Sequence, residues 1–135
     1  MPRDSAVIQT LQNASEGLQF LSETDAPFTA FFWLDSSDEI LGTERLKQLA
    51  KEPDDVPIET EKVAYFFRNS VKVFEGEYSD YTVAKAEKFK RLVRTIEATL
   101  KDAQVFRVGE ISIDVYIIGR VEGGYAGLKT LVVET

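Results

Sequence analysis

The residues best suited to contact a metal ion stand at the C-terminal end of this 135-residue chain. A predicted strand is followed by Glu134 and Thr135, which bring a side-chain acid, a hydroxyl and a main-chain carboxylate close together. These are hard oxygen donors of the kind that Mg²⁺ prefers. The alternative is that the C-terminus has no function, because, judged by composition alone, most C-termini have no function.

A second candidate is the short polar segment 21–27, which lies between two predicted elements. Glu23 and Asp25 flank Thr24 in this segment, and Pro27 ends it. Proline and polar residues favour a loop, and loops held by a rigid scaffold often carry binding residues. A surface turn with a capping acid is the other interpretation of the same residues.

The composition excludes several kinds of catalytic site. With no cysteine and no histidine, the chain has no thiolate nucleophile, no imidazole base and no metal site built on those ligands. A glycosidase-like pair of carboxylates stays open, because the sequence does not give the separation of two acids. We expect no catalytic residues, no cofactor and no metal site of the chain's own, so an enzyme is the least favoured class.

The charge of the chain is negative and unevenly distributed. The formal net charge is −7; residues 1–82 carry 16 acidic and 7 basic side chains, and residues 83–135 carry 7 acidic and 9 basic ones. An acidic chain repels phosphate backbones and is attracted to basic protein surfaces. We therefore expect a protein partner and no direct contact with nucleic acid.

The elements that must position these residues follow from the apolar spacing. Two faces of apolar residues over 27–34 predict a buried central strand, and residues 35–38 predict a turn. The remaining elements are predicted as helices over 4–19, 43–51 and 80–102 and strands over 104–110, 111–120 and 128–133. A short extended segment over 56–59 and a helix capped by Thr60 are predicted between the second and third of these helices. This order indicates an α+β fold with a mostly antiparallel sheet, and helices on both faces would make it a three-layer sandwich.

The sequence also gives expectations about location. The start of the chain has no long apolar run, and stretches such as Phe31–Leu34 are too short to cross a bilayer. The lack of cysteine fits a reducing compartment. We expect a cytoplasmic protein that does not contact membranes.

Short blocks in one order, from about residue 5 to the end of the chain, resemble the nuclease A inhibitor family. The early blocks contain Glu16-Gly17-Leu18, Phe20-Leu21-Ser22-Glu23 and Phe32-Trp33. The late blocks contain Gln104-Val105-Phe106-Arg107, Asp114-Val115-Tyr116-Ile117 and Val132-Val133-Glu134-Thr135. The resemblance implies a single domain over residues 1–135 with an α/β/α sandwich fold similar to the pathogenesis-related protein 1 group. It also implies an inhibitor that blocks the active site of a sugar-non-specific, Mg²⁺-dependent nuclease.

The resemblance further implies which residues contact the nuclease. Glu23 and Thr135 would reach toward the catalytic Mg²⁺ of the partner, with Thr24, Asp25 and Glu134 beside them. Tyr78 is the nearest aromatic residue to a contact that the family makes before its long helix. A monomer that binds its nuclease 1:1 is expected, and a module of the same fold with a non-nuclease partner is the alternative.

Overall fold

The computed structural model describes residues 2–36 and 39–135, which form helices on an antiparallel sheet. The helices are α1 (Pro2–Ser15), α2 (Thr43–Ala50), α3 (Val63–Phe66) and α4 (Asp80–Thr99). The strands are β1 (Gln19–Leu21), β2 (Asp25–Pro27), β3 (Thr29–Leu34), β4 (Ile58–Glu61), β5 (Lys101–Val108), β6 (Ser112–Val121) and β7 (Gly124–Val133). The predicted α+β class is confirmed.

The main sheet has five strands in the order β3-β7-β6-β5-β4, and every neighbouring pair is antiparallel. Its centre is the meander of β5, β6 and β7, in which each strand pairs with the next one along the chain. The C-terminal end of the chain therefore leaves the sheet from a central strand.

The prediction that residues 27–34 form a central strand is wrong, because β3 lies at one edge of the sheet. Phe31 and Trp33 pack on one face of the sheet, while Ala30 and Phe32 pack on the other. Apolar contacts on both faces do not require a neighbouring strand on both sides. Part of the open edge is covered by α1, since the Ala30 N–H donates to Gln12 Oε1 at 3.3 Å.

One face of the sheet packs against α1, α3 and α4. The long helix begins with a capping box formed by Ser79 and Thr82, which satisfies main-chain donors of the first turn. Its buried side chains recur at steps of three and four residues, the spacing of one helix face. This first core includes Leu11, Phe67, Phe89, Leu92, Ile96, Val115, Ile117 and Leu128.

A second apolar core covers part of the opposite face of the sheet. Leu46 of α2 is fully buried there with Tyr116 and Tyr125 of the sheet. Alternate residues of β6 thus belong to different cores, which explains the near-continuous apolar run of that strand. Residues 2–36 and 39–135 contain no helix that is both long enough and apolar enough to cross a membrane.

Several predicted boundaries move in the structure. The first helix ends at Ser15 rather than at residue 19, since Gly17 takes a left-handed conformation with φ of 78°, which favours glycine. The long helix ends at Thr99, and the chain enters β5 directly. The predicted turn over 35–38 includes Ser37 and Asp38, which lie outside the described residues.

Candidate functional site

The segment predicted as a loop over 21–27 is a small hairpin. Strands β1 and β2 pair antiparallel, with Leu21 opposite Asp25. The ring of Phe20 anchors the hairpin to the first core, because it stacks on Phe66 at a centroid distance of 4.3 Å. Ala26 of β2 is also buried. The tip of the hairpin, residues 22–24, is therefore held by rigid neighbours.

Hydrogen bonds attach this tip to the end of β7. The Val133 N–H donates to Ser22 Oγ at 3.0 Å, and the Glu23 N–H donates to the Val133 carbonyl at 3.2 Å. Ser22 Oγ also donates to the Thr24 carbonyl at 3.1 Å, which closes the turn. The hairpin tip and the C-terminal residues thus form one local structure.

Glu23 and Thr135 are in direct contact. The Thr135 hydroxyl donates to Glu23 Oε1 at 2.7 Å, and the Thr135 N–H donates to Glu23 Oε2. These two hydrogen bonds, the hydroxyl one first, lower the pKa of the Glu23 carboxyl below its ordinary value of 4.5, because they stabilise the ionised form. The predicted pair therefore forms an exposed, charged site.

Glu134, the residue before Thr135, is held by Arg107 of β5. Arg107 Nη2 donates to Glu134 Oε1 at 2.6 Å, while Arg107 Nε lies 3.6 Å from Glu61 Oε1 on β4. The Glu134 N–H donates to the Ile111 carbonyl at 2.9 Å. Main-chain and side-chain contacts together fix the residue that precedes Thr135.

The other predicted site residues lie at different distances from this pair. Thr24 is in the hairpin turn next to Glu23, and Asp25 is exposed at the start of β2. Tyr78 precedes α4 and has 71% of its surface exposed. No contact joins Tyr78 to Glu23 or Thr135 among the interactions of the described residues.

An open groove of about 1110 Å³ runs from this pair toward the start of α4. Glu23 and Thr135 lie in its lining, together with aromatic side chains from α3, from the segment between α3 and α4, and from the first turn of α4. The exposed ones among them are Tyr65, Phe74 and Tyr81. Tyr78 is outside the set of described residues that line the groove.

The donor atoms at this site are of the kind that a hard metal ion prefers. Ionised carboxylates and hydroxyls are good ligands for Mg²⁺. The described part of the chain has no group of three or more acidic side chains placed to hold a metal ion. The site can thus complete the ligand shell of a metal, or replace a phosphate near one.

A second polar cluster lies on the face of the sheet that carries the second core. The Tyr116 hydroxyl donates to Glu52 Oε2 at 2.8 Å, and Lys129 Nζ lies 5.2 Å from the centre of the Tyr116 ring. Burial raises the pKa of Glu52 above its ordinary value, and nearby Asp114 adds to that increase. Burial and the neighbouring Glu52 also raise the pKa of Tyr116. None of the predicted site residues belongs to this cluster.

Sequence reasoning missed two residues that shape the candidate site, Ser22 and Arg107. A signal existed for Arg107, because strand alternation places it on the same face as Val105, which is fully buried in the first core. A charged residue at an inward position requires a partner. The identity of that partner, 27 residues away, was not readable from the pattern.

Comparison with known protein families gives a match that includes the residues of this site. The family model of the nuclease A inhibitor-like protein, NuiA, matches residues 5–135. No curated protein matches the chain. The matched range covers nearly the whole chain, including the hairpin tip and Thr135, so the chain belongs to the nuclease A inhibitor-like protein family.

Proposed function

We propose that this protein inhibits a sugar-non-specific, Mg²⁺-dependent nuclease by binding over its active site. The observation that carries the proposal is the contact between Glu23 and Thr135, which presents a carboxylate and a hydroxyl at one exposed point. Membership of the nuclease A inhibitor-like family supports the partner class.

The proposed mechanism replaces substrate contacts by inhibitor contacts. A nuclease must be basic where it binds phosphates, so an inhibitor with a net charge of −7 is attracted to that surface. Glu23 and Thr135 then supply oxygen atoms toward the metal ion of the nuclease, directly or through water. Their mutual hydrogen bonds fix both groups before binding, which lowers the entropy lost on association.

The neighbouring residues complete the proposed contact surface. Thr24, Asp25 and Glu134 lie beside the central pair, and Tyr78 is proposed as an outer aromatic contact. The inhibitor is proposed to act as one domain and as a monomer that binds one nuclease molecule, in the cytoplasm. Cores on both faces of the sheet support a three-layer α/β/α sandwich related to the pathogenesis-related protein 1 group.

The proposal is tested by titrating the purified protein into a nuclease of this class and following DNA cleavage in the presence of Mg²⁺. We expect activity to fall linearly and to reach zero near one equivalent. Full activity at a large excess of folded protein would overturn the proposal. In that case, recovery of a non-nuclease protein in pull-downs would favour the alternative of a binding module on the same fold.

A further inference from the structure

Arg107 joins the edge of the sheet to the residues that follow β7. Its guanidinium contacts Glu134 at 2.6 Å through Nη2 and approaches Glu61 at 3.6 Å through Nε. The side chains of Arg107 and Glu61 are each only 16% exposed, whereas that of Glu134 is 55% exposed. The shielded pair Arg107 and Glu61 therefore anchors the more exposed Glu134.

The geometry of the contact suits arginine. A planar guanidinium can donate through two nitrogens to two different carboxylates, which the single ammonium of lysine cannot do in the same plane. Val115 of β6 stands opposite Arg107 of β5, and the arginine reaches past the first residues of β6 to Glu134. The contact thus crosses a strand and fixes a residue outside the regular sheet.

The contact between Arg107 and Glu134 reduces repulsion between acidic side chains. Glu23, Glu61 and Glu134 all line the same groove, and like charges that share a site repel one another. Without a cation between Glu61 and Glu134, this repulsion would weaken the contacts that hold the segment after Val133 against the sheet. Arg107 offsets the repulsion at the residue next to Thr135.

We infer that Arg107 is a positioning residue: by holding Glu134 against the sheet, it keeps Thr135 hydrogen-bonded to Glu23 in the unbound protein. The inference deepens the proposed function and rests on it for its biological meaning. Arg107 lines the same groove as the Glu23–Thr135 pair and acts on it through Glu134. Its effect is to order the pair before any partner arrives, which reduces the entropic cost of binding.

The test compares Arg107→Met with Arg120→Met in the full chain. Arg120 is a matched control because it also lies in the sheet, has a side chain 19% exposed, and pairs with Asp102 at 3.6 Å, outside the set of residues that line the groove. ¹⁵N relaxation of the Thr135 amide reports the order of the tail without any nuclease. We expect an order parameter near 0.85 in the wild type and in Arg120→Met, falling below about 0.6 in Arg107→Met.

A second variant keeps the test decisive if Arg107→Met fails to fold. Glu134→Gln leaves the arginine in place and weakens the charge-assisted contact, so the Thr135 amide is expected to lose order. The loss is expected to be smaller than in Arg107→Met, because the repulsion at residue 134 is removed together with the charge. An order parameter that stays at the wild-type value in a folded Arg107→Met or Glu134→Gln protein would overturn the inference. Because this measurement contains no nuclease, its failure is distinct from a failure of the proposed inhibition.

The effect on inhibition is measured separately with the same variants. We expect the inhibition constant of Arg107→Met to rise by about tenfold, and the double variant with Glu134→Gln to be no weaker than the worse single variant. Arg120→Met is expected to inhibit like the wild type. Additive losses in the double variant would contradict an action of Arg107 through Glu134.

Discussion

Thr135 donates two hydrogen bonds to Glu23, one from its hydroxyl and one from its main-chain N–H, across 112 positions of sequence. Both oxygens of the carboxylate accept from the same residue, so the relative orientation of the two groups is fixed. Each carboxylate oxygen has further lone pairs. The pair can therefore stay joined while it contacts a metal ion or a bound water of a partner.

Removing Thr135 is expected to change the titration of Glu23. The hydrogen bonds from Thr135 lower the pKa of Glu23, so deletion of Thr135 should raise that pKa toward its ordinary value of 4.5. The measurement is an NMR titration of the Glu23 side-chain carbonyl carbon. A lowered pKa in the folded state also means that this contact stabilises the protein above the ordinary pKa, and that the stabilisation is lost as the pH falls through the folded pKa. An unchanged Glu23 pKa after the deletion would contradict the contact.

Glu52→Gln is expected to alter how stability depends on pH. Burial raises the folded pKa of Glu52, so the unfolded state ionises first and the wild type loses stability as the pH rises from about 4.5 through the folded pKa. Glutamine does not titrate and can still accept the hydrogen bond from Tyr116. The melting temperature of the variant relative to the wild type should thus increase from about pH 4 to about pH 7.

The control for this comparison is Glu16→Gln, which removes one acidic charge at an exposed position. If both variants show the same relative change between the two pH values, the effect comes from net charge and the assignment to Glu52 is wrong.

Gly127→Ala is expected to destabilise the centre of the sheet. A Cβ atom at this position would stand 1.8 Å from the main-chain carbonyl oxygen of Ile117, so strands β6 and β7 would have to separate. Overpacking of this kind costs about 1–3 kcal/mol of unfolding free energy, or more where main chain must move. Urea denaturation measures the loss. The comparison variant is Gly42→Ala, where an added Cβ meets nothing within 4 Å, and an equal loss there would contradict the packing argument.

Parts of the fold with strong local patterns were predictable from the sequence. The spacing of Phe89, Leu92 and Ile96 predicts α4, and the alternation of Ile113, Val115 and Ile117 predicts β6. The position of β3 at an edge was not predictable, because burial on two faces looks the same in sequence whether or not a strand lies on each side. Strands β1 and β2 were missed since each has only three residues, which is too short for a periodic signal.

The sequence proposed some residues of the candidate site, but it did not indicate the geometry that joins them. The oxygen donors at the C-terminus indicated Glu134 and Thr135, and the short polar segment 21–27 indicated Glu23. The family resemblance implied that Glu23 and Thr135 contact the same metal ion of a partner. Their contact depends on how the hairpin tip meets β7, which is a long-range packing outcome. The role of Arg107 depends on the same packing. The sequence around a single arginine in a strand does not indicate which acidic residue it pairs with.

Salt is expected to weaken the complex mainly through its association rate. The net charge of −7 would attract the inhibitor to a basic nuclease surface over distances that salt screens. Between about 0.05 M and about 0.5 M salt, stopped-flow measurements should show the association rate falling by about tenfold or more, with a smaller change in the dissociation rate. A dissociation rate that changes more than the association rate would argue against steering by net charge.

The most direct test of the central claim compares the wild type with a double variant that carries Glu23→Gln and lacks Thr135. Both proteins are titrated into a Mg²⁺-dependent, sugar-non-specific nuclease, with Glu16→Gln as the control and circular dichroism as the check on folding. We expect complete inhibition near one equivalent of wild type and of the control, and an inhibition constant at least about a hundredfold higher for the double variant. Inhibition by the folded double variant at the wild-type concentration would contradict the assignment of Glu23 and Thr135 to the nuclease active site.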